Sequence, residues 1–311
     1  LSKHAFSSDF WTVVRKAIFG AEGFKGFVYN DSKNIPTIGY GEALIVSDNG
    51  KWVPRTLSAL NALFSGIHVW TVDEVADLQS AANAKNGIIG PTAINKFPSP
   101  SGTNIYNWSI DAAQAQQVFQ NDSISRKAQL STRLGSYTNT NTSIWVDLEG
   151  SYEGVALYSL AYNGLSVIGK KLIYALRNSD RAEAWFEIRY NSNNGASASP
   201  GIAKRRYAES ELFGLYDESS PIVTVSHDEA MNVYRMYTKH RDAMLAYETQ
   251  YSAQIGAANA DLLGQFPQTV RLLKDELQLA ADDLLALYVQ LPGYGNASDY
   301  SSLNIQLAPD S

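Results

Sequence analysis

The chain has 311 residues, of which 45% are hydrophobic, and a formal net charge of −6. A chain of this length and composition can bury a large core and form one large or two modest domains. It contains no cysteine, which excludes disulfide bonds, thiolate metal ligands and cysteine nucleophiles. No apolar run approaches the roughly 18 residues that a membrane-spanning helix needs, so the sequence predicts no membrane span.

The charge is divided unevenly along the chain. Residues 1–213 carry 20 Lys and Arg against 18 Asp and Glu, a net charge of +2, whereas residues 214–311 carry 5 against 13, a net charge of −8. Because an acidic surface repels phosphate backbones and anionic lipids, this distribution argues against nucleic acid as a partner. The first twenty residues contain Asp9, Arg15 and Lys16 in an amphipathic pattern, which does not resemble a signal peptide.

The first elements that the sequence predicts are a helix and a β-hairpin. Apolar residues recur at helical spacing after the candidate N-caps at 7–9, and they predict a helix that ends at Glu22, just before Gly23. The polar run 30–34 is typical of a turn, and Pro36 favours extended geometry in the residue before it. Residues 27–41 therefore predict a hairpin, which we expect to be the only β element.

The rest of the sequence predicts helices joined by polar loops. The helices are predicted at 71–83, 109–134, 152–163, 170–178, 180–189, 200–213, 226–251 and 267–290, with loops at 91–107, 135–143 and 191–199. The last two helices predict a helical hairpin. The predicted fold class is therefore α+β and mainly α-helical, with a domain of residues 1–213 that carries an insertion at about 43–107. Residues 214–311 form a C-terminal helical extension in this interpretation.

Two acids of the first helix and hairpin suggest a chemistry. Hydrolysis of a glycosidic bond needs one protonated carboxyl group and a second carboxylate. Glu22 lies at the negative end of the predicted helix, near Phe19 and Phe24, and both surroundings favour its protonated form. Asp31 lies in a polar turn that favours the charged form, and Thr37 follows on the next strand with a hydroxyl that can hold a water molecule. On spacing alone, such a pair is more typical of solvated surface carboxylates.

Three motifs resemble those of phage-type lysozymes, the endolysins of glycoside hydrolase family 24. The first is Glu22-Gly23 followed by Tyr29, Asp31 and the run TIGYG at 37–41, which is similar to the family pattern E-G, Y-x-D and T-I-G-x-G. The second is WSI at 108–110, ahead of a Gln-rich helix. The third combines AYN at 161–163 with SPGIAKRRYAE at 199–209. Together the motifs cover residues 8–42 and 108–213.

The resemblance implies a lysozyme-like fold, in which a small β-hairpin lobe and a helical lobe flank a groove. It implies a muramidase that cleaves the β-1,4 bond between N-acetylmuramic acid and N-acetylglucosamine with inversion. In this reading Glu22 is the general acid, Asp31 is the second carboxylate, and Thr37 helps to position the attacking water. The expected substrate-binding residues are Tyr29, Tyr40, Tyr162, Asn163, Arg205 and Arg206.

The chain also departs from the family pattern. Glu42 occupies the position after TIGYG where family members usually have His, so we expect a supporting His–carboxylate contact to be absent. Ala21 stands where members often have an acid before the catalytic Glu. The alternatives that stay open are a catalytically inactive peptidoglycan-binding module and a lytic transglycosylase, which uses a single Glu.

The resemblance further implies where the protein acts and what it meets. The expected partners are peptidoglycan glycan strands and an immunity or inhibitor protein, and no cofactor is expected. The expected place of action is the cell wall in the periplasm of a target or host bacterium, reached by lysis or through a secretion machine, as for a type VI effector. His4, His68, His227 and His240 are scattered without ligand spacing, so no metal site is expected.

Overall fold

The computed structural model describes residues 4–31, 33–88, 105–137, 143–193, 198–217 and 226–255, together with the single residues 269, 270, 272 and 275. These residues form a mainly helical α+β fold, which confirms the predicted fold class. The chain folds as two compact units: a hairpin unit, residues 8–135, and a helical unit, residues 1–7 and 136–311. The predicted boundary at residues 213 and 214 stays a prediction. The predicted helix 267–290, and the helical hairpin that it would form, lie almost wholly outside the described residues.

The hairpin unit contains four helices and five short strands within its described residues. They are α1 (Phe10–Glu22), β1 (Lys25–Asn30), β2 (Pro36–Gly39), β3 (Glu42–Ala43), β4 (Ile45–Asp48), β5 (Lys51–Pro54), α2 (Leu57–Leu63), α3 (Val72–Lys85), a 3-10 turn (Ile105–Asn107) and α4 (Ala112–Gly135). Strands β1, β2 and β3 form one antiparallel sheet, and β4 and β5 form a second.

The first helix and the first hairpin form where local signals predict them. Asp9 caps α1, because its carboxylate accepts the backbone N–H of Thr12 at 2.8 Å. Val14 and Ile18 are fully buried on one face of the helix, which ends at Glu22 and is capped by Gly23 with a φ of 69°. The prediction of a helix that ends at Glu22 is thus confirmed, and so is the hairpin that follows it.

The expectation of a single β element is wrong. Strands β4 and β5 form a second hairpin, with Val46 opposite Val53, around the turn Asn49-Gly50. Both turn residues have positive φ, 48° and 78°, which suits Asn-Gly and matches the twist of a two-residue hairpin. This dipeptide is a strong hairpin signal that was available in the sequence. The segment also shares the core of the first sheet, because Ile45, Leu60 and Phe64 cluster with buried residues of β1 and β2.

The helical unit is built around one buried helix. Its elements are α5 (Trp145–Leu148), α6 (Tyr152–Asn163), a 3-10 turn (Leu165–Val167), α7 (Lys170–Arg177), α8 (Arg181–Phe186) with a π-helical continuation (Glu187–Asn191), α9 (Pro200–Phe213) and α10 (His227–Ile255). Nine consecutive residues of α6, 153–161, are buried, and the helix packs against α9. None of the described helices of the two units is long and apolar enough to cross a membrane.

Aromatic and charged groups hold α10 onto α8 and α9. The His240 ring stacks on Phe186 with 3.7 Å between ring centroids and an interplanar angle of 9°. Further along the helix, the carboxylate of Glu248 accepts hydrogen bonds from the phenols of Tyr190, at 2.6 Å, and Tyr207. Glu248 is fully buried, so these two donors compensate for the water that the carboxylate loses.

A buried ionic cluster joins the N-terminal segment to α6 and α8. Glu153 is fully buried, and its carboxylate accepts the backbone N–H of His4 at 3.0 Å and the guanidinium of Arg181 at 2.7 Å. Arg181 also donates to Asp217 at 2.7 Å. The cluster therefore fixes four distant parts of the sequence to one another within the helical unit.

We predict that Glu153→Gln lowers the free energy of unfolding by about 3 kcal/mol, because it leaves Arg181 buried with one charged partner removed. Asp242→Asn is the matched control, since its carboxylate lies 3.7 Å from the guanidinium of Arg241 and both side chains are exposed, at 98% and 39%. An exposed pair contributes at most about 1 kcal/mol. Urea unfolding of both variants checks the prediction, and equal losses in the two would contradict it.

Candidate active site

The register of the first hairpin places Lys25, Tyr29 and Thr37 on one face of the sheet. Tyr29 pairs directly with Thr37, and Lys25 pairs with Gly39, with an irregularity of β1 between the two pairs. Residues directly opposite each other in an antiparallel pair project to the same side. The ammonium of Lys25 lies 4.0 Å from the centroid of the Tyr29 ring, which agrees with that placement.

Asp31 closes the turn between β1 and β2. Its Oδ1 accepts the backbone N–H of Lys33 at 2.7 Å and that of Ile35 at 2.8 Å. Asn34, between them, adopts a positive φ of 59°, which Asn tolerates better than most residues. Within the described residues, Oδ2 accepts no hydrogen bond. The turn thus orients the carboxylate and leaves one oxygen available for a substrate or water.

Glu22 is the last residue of α1 and is half-buried. Its carboxyl group lies against the backbone that links β2 to β3, because a Cβ atom added to Gly41 would come within 3.1 Å of Oε2 and 3.2 Å of Cδ. Gly41 has a φ of 94°, which L side chains rarely adopt. Glycine at this position therefore makes room for the Glu22 carboxyl group.

Tyr29 lies within the electrostatic fields of both candidate acids. Burial raises the pKa of its phenol, and the negative charges of Glu22 and Asp31 raise it further. In the fold, Asp31 directly follows β1, two residues after Tyr29, and the Glu22 carboxyl group lies against Gly41, in the link between β2 and β3.

Thr37 lies opposite Tyr29, and only 4% of it is exposed. Its hydroxyl donates to the backbone carbonyl of Ile35 at 2.9 Å. Because its proton is used in this way, Thr37 Oγ1 can only accept from a water molecule bound there. The role of Thr37 in positioning water stays a prediction.

Tyr40 belongs to an aromatic cluster between α1 and the sheet. Its ring stacks on Phe19 with 3.6 Å between centroids and an interplanar angle of 5°, and it packs at a tilt against Phe24 at 5.5 Å. Phe119 of α4 packs edge-on against Phe19. One face of the Tyr40 ring is therefore covered within the protein, and the prediction of sugar stacking applies only to the other face.

The other predicted substrate contacts lie in the helical unit. Tyr162 is half-buried near the end of α6, and the side chain of Asn163, the last residue of that helix, accepts from Arg206 at 2.9 Å. Arg206 also donates to the carbonyl of Ser192 at 3.2 Å and to the carboxylate of Glu209. Arg206 is fully buried, and its guanidinium donates hydrogen bonds only to groups of the helical unit among the described residues, so the prediction that it binds substrate is wrong. Arg206 instead stabilises the packing of α6 on α9.

Arg205 joins the same buried network. Its guanidinium donates to Glu209 at 3.1 Å and to the backbone carbonyl of Ser159 at 3.1 Å, and 10% of its side chain is exposed. Ser159 in turn donates to Glu209 at 2.6 Å. These contacts give Arg205 a structural role between α6 and α9, and its contact with substrate stays a prediction.

The sequence did not reveal a buried ionic cluster around Glu42. Glu42 is 2% exposed, and its Oε1 lies 2.5 Å from the guanidinium of Arg55 and 3.7 Å from that of Arg126. Asp122 completes the cluster through Arg126 at 2.6 Å. Within the described residues, Oε2 of Glu42 has no hydrogen-bond partner. A Glu inside an otherwise apolar strand region was the available signal, because buried acids require cationic partners.

The pKa of Glu42 is raised to about 7 despite its arginine partners. Burial is the largest cause, and the charge of Asp122 adds to it, whereas Arg126 and Arg55 act in the opposite direction. The cationic partners of Glu42 are therefore arginines. The departure from the family pattern had predicted only that a His–carboxylate contact would be absent.

Comparison of the chain with protein-family models and with curated proteins finds no match. Among the residues that the structure describes, no group of three or more His, Asp or Glu side chains is arranged to hold a metal ion.

We predict that Gly41→Ala destabilises the protein by about 1–3 kcal/mol, because Ala is strained at this φ and its Cβ would press on Glu22. Gly20→Ala is the matched control in α1, since no heavy atom lies within 4 Å of the added Cβ. It should stabilise the protein by about 0.5–1 kcal/mol. Urea unfolding midpoints measure both changes, and a shift of the same sign in the two variants would refute the packing of Glu22 on Gly41.

The raised pKa of Glu42 predicts a pH-dependent stability. Its ordinary value is 4.5, so between about pH 4.5 and 7 the folded state binds more protons than the unfolded state. The contribution of Glu42 is therefore fully present below pH 4.5 and is lost as the pH rises through 7. Relative to Glu42→Gln, which stays neutral, the wild type should lose about 2–3 kcal/mol between pH 4.5 and 8. Parallel unfolding curves at all pH values would exclude this assignment.

Proposed function

We propose that this protein is a muramidase, which hydrolyses the β-1,4 bond between N-acetylmuramic acid and N-acetylglucosamine in peptidoglycan. The proposal rests on the resemblance of its motifs and is supported by one structural observation. That observation is the fixed placement of two carboxyl groups: Glu22, at a helix end, packs against Gly41, and Asp31 is held by two backbone N–H groups of the hairpin turn. Glycoside hydrolysis needs such a pair, one acid on each side of the scissile bond.

In the proposed mechanism one acid donates a proton and the other accepts one. Glu22 donates its proton to the glycosidic oxygen, and the bond from this oxygen to the anomeric carbon breaks. A water molecule attacks the anomeric carbon from the opposite face and gives its proton to Oδ2 of Asp31, the oxygen that the turn leaves available. Attack from the opposite face inverts the configuration.

Thr37 supports the water in this mechanism. Its hydroxyl proton is donated to the carbonyl of Ile35, so the oxygen accepts one proton of the water. The other proton of the water then points to Asp31, and a lone pair remains for the attack. The proposal extends to the setting that the resemblance implies: action on the wall in the periplasm, delivery by lysis or a secretion machine, and an immunity or inhibitor protein as a partner.

We predict that Glu22→Gln slows the clearing of purified cell walls by a factor of about 10²–10⁴, because Gln cannot donate the proton that the leaving oxygen needs. Sedimentation with walls should show that the variant still binds. A turbidity assay measures the clearing. Clearing by Glu22→Gln at the parent rate, with binding retained, would favour a wall-binding module contaminated by another hydrolase.

Asp31→Asn separates hydrolysis from the transglycosylase alternative in the same assay. A muramidase should lose activity in this variant and release reducing muramyl ends, which mass spectrometry identifies. A lytic transglycosylase needs only one acid, so it would tolerate the substitution and release anhydro ends. Because Asn keeps an oxygen in the place of Oδ1, the hydrogen bonds of the turn can be retained.

A further inference from the structure

The end of α3 reaches the hairpin turn that Asp31 closes. The ammonium of Lys85, the last residue of this helix, donates to the backbone carbonyl of Lys33 at 2.5 Å. The backbone N–H of the same Lys33 donates to Oδ1 of Asp31 at 2.7 Å. One residue of the turn therefore links a side chain of α3 to the carboxylate of the candidate site.

This contact fixes the orientation of a peptide group within the turn. The carbonyl of Lys33 and the N–H of Asn34 belong to one planar peptide group. Its oxygen accepts from Lys85, and its N–H donates to the backbone carbonyl of Asp31 at 2.9 Å. Asn34 has a positive φ of 59°, a region that residues other than glycine enter at a cost. Because both polar ends of the peptide group are bonded, it cannot rotate without breaking a hydrogen bond.

The second hairpin holds the end of α3 that carries Lys85. Asn86, the residue after the helix, accepts the backbone N–H of Trp52 and donates to the backbone carbonyl of Trp52, both at 2.8 Å. The ammonium of Lys85 also lies 5.7 Å from the centroid of the Trp52 ring, which attracts the cation. Strand β5 therefore restrains both the end of the helix and the side chain of Lys85.

We infer that Lys85 is a positioning residue for Asp31, and that α3 and β5, from the predicted insertion at about 43–107, support the candidate carboxylate through it. The inference rests on the proposed function, in which Asp31 accepts a proton from the attacking water. Because Oδ1 of Asp31 is bonded to the Lys33 N–H, a displacement of the turn also moves the carboxylate. A misplacement of about 1 Å can slow a reaction about a hundredfold.

Lys85→Met tests whether the contact holds the turn, because Met is similar in length but cannot donate a hydrogen bond. The N–H groups of Asn34 and Ile35 both donate to Asp31 within the turn. Hydrogen exchange measured residue by residue should show these two amides exchanging about tenfold faster than in the parent protein. The amides of α4 should exchange at the parent rate, which would show that the fold of the hairpin unit is intact.

The kinetics of the same variant test whether the position of the turn matters for catalysis. With soluble glycan strands as substrate, Lys85→Met should lower kcat about tenfold and leave KM within about twofold, because it displaces a catalytic group and removes no substrate contact. Lys85→Arg retains a cationic donor and should recover most of the kcat.

Lys51→Met is the matched control. Lys51 is exposed and precedes Trp52 in β5, and among the described residues its ammonium donates no hydrogen bond to the turn. This variant should match the parent in both measurements.

Three results would overturn the inference. Parent-like exchange at Asn34 and Ile35 in Lys85→Met would show that the contact does not hold the turn. Equally faster exchange throughout the hairpin unit would show that Lys85 only stabilises the fold. A higher KM at the parent kcat would show that Lys85 contacts the substrate directly.

The exchange measurement separates this inference from the proposed function, because it requires no activity. Faster exchange confined to the turn would support the role of Lys85 even where the parent cleaves no glycan and the proposed function fails. Cleavage by Lys85→Met at the parent rate would leave the proposed function standing and overturn the inference.

Discussion

The hairpin turn that Asp31 closes is the constraint on which the candidate site depends. The two backbone N–H groups that Oδ1 accepts hold the turn, and the turn sets the register in which Tyr29 faces Thr37. A slip by one residue would send every side chain of a strand to the other face of the sheet. One carboxylate oxygen therefore stabilises the turn that sets this register.

The buried ionic cluster of Glu42 stabilises the backbone next to the Glu22 carboxyl group. Glu42 follows Gly41, against which the Glu22 carboxyl group packs, and its ionic partners come from the segment after β5 and from α4. Replacing a buried ionic cluster with apolar groups is often neutral or stabilising, so its presence is not explained by stability alone. Its directional contacts fix β3, and hence the backbone at Gly41, in one position. A site that needs its acids at a defined separation benefits from such rigidity.

Structural features that depend on residues close in the sequence could be predicted, whereas features that depend on residues distant in the sequence could not. The end of α1 and the first hairpin follow from a cap, a glycine and a polar turn, all within a few residues of the effect. The buried state of Arg206 depends on Glu209, but also on Asn163, 43 residues away. The covering of Tyr40 likewise depends on Phe19, one helix earlier. The spacing of residues in α9, or in the segment after β2, does not indicate such partners, so buried arginines were predicted to bind substrate.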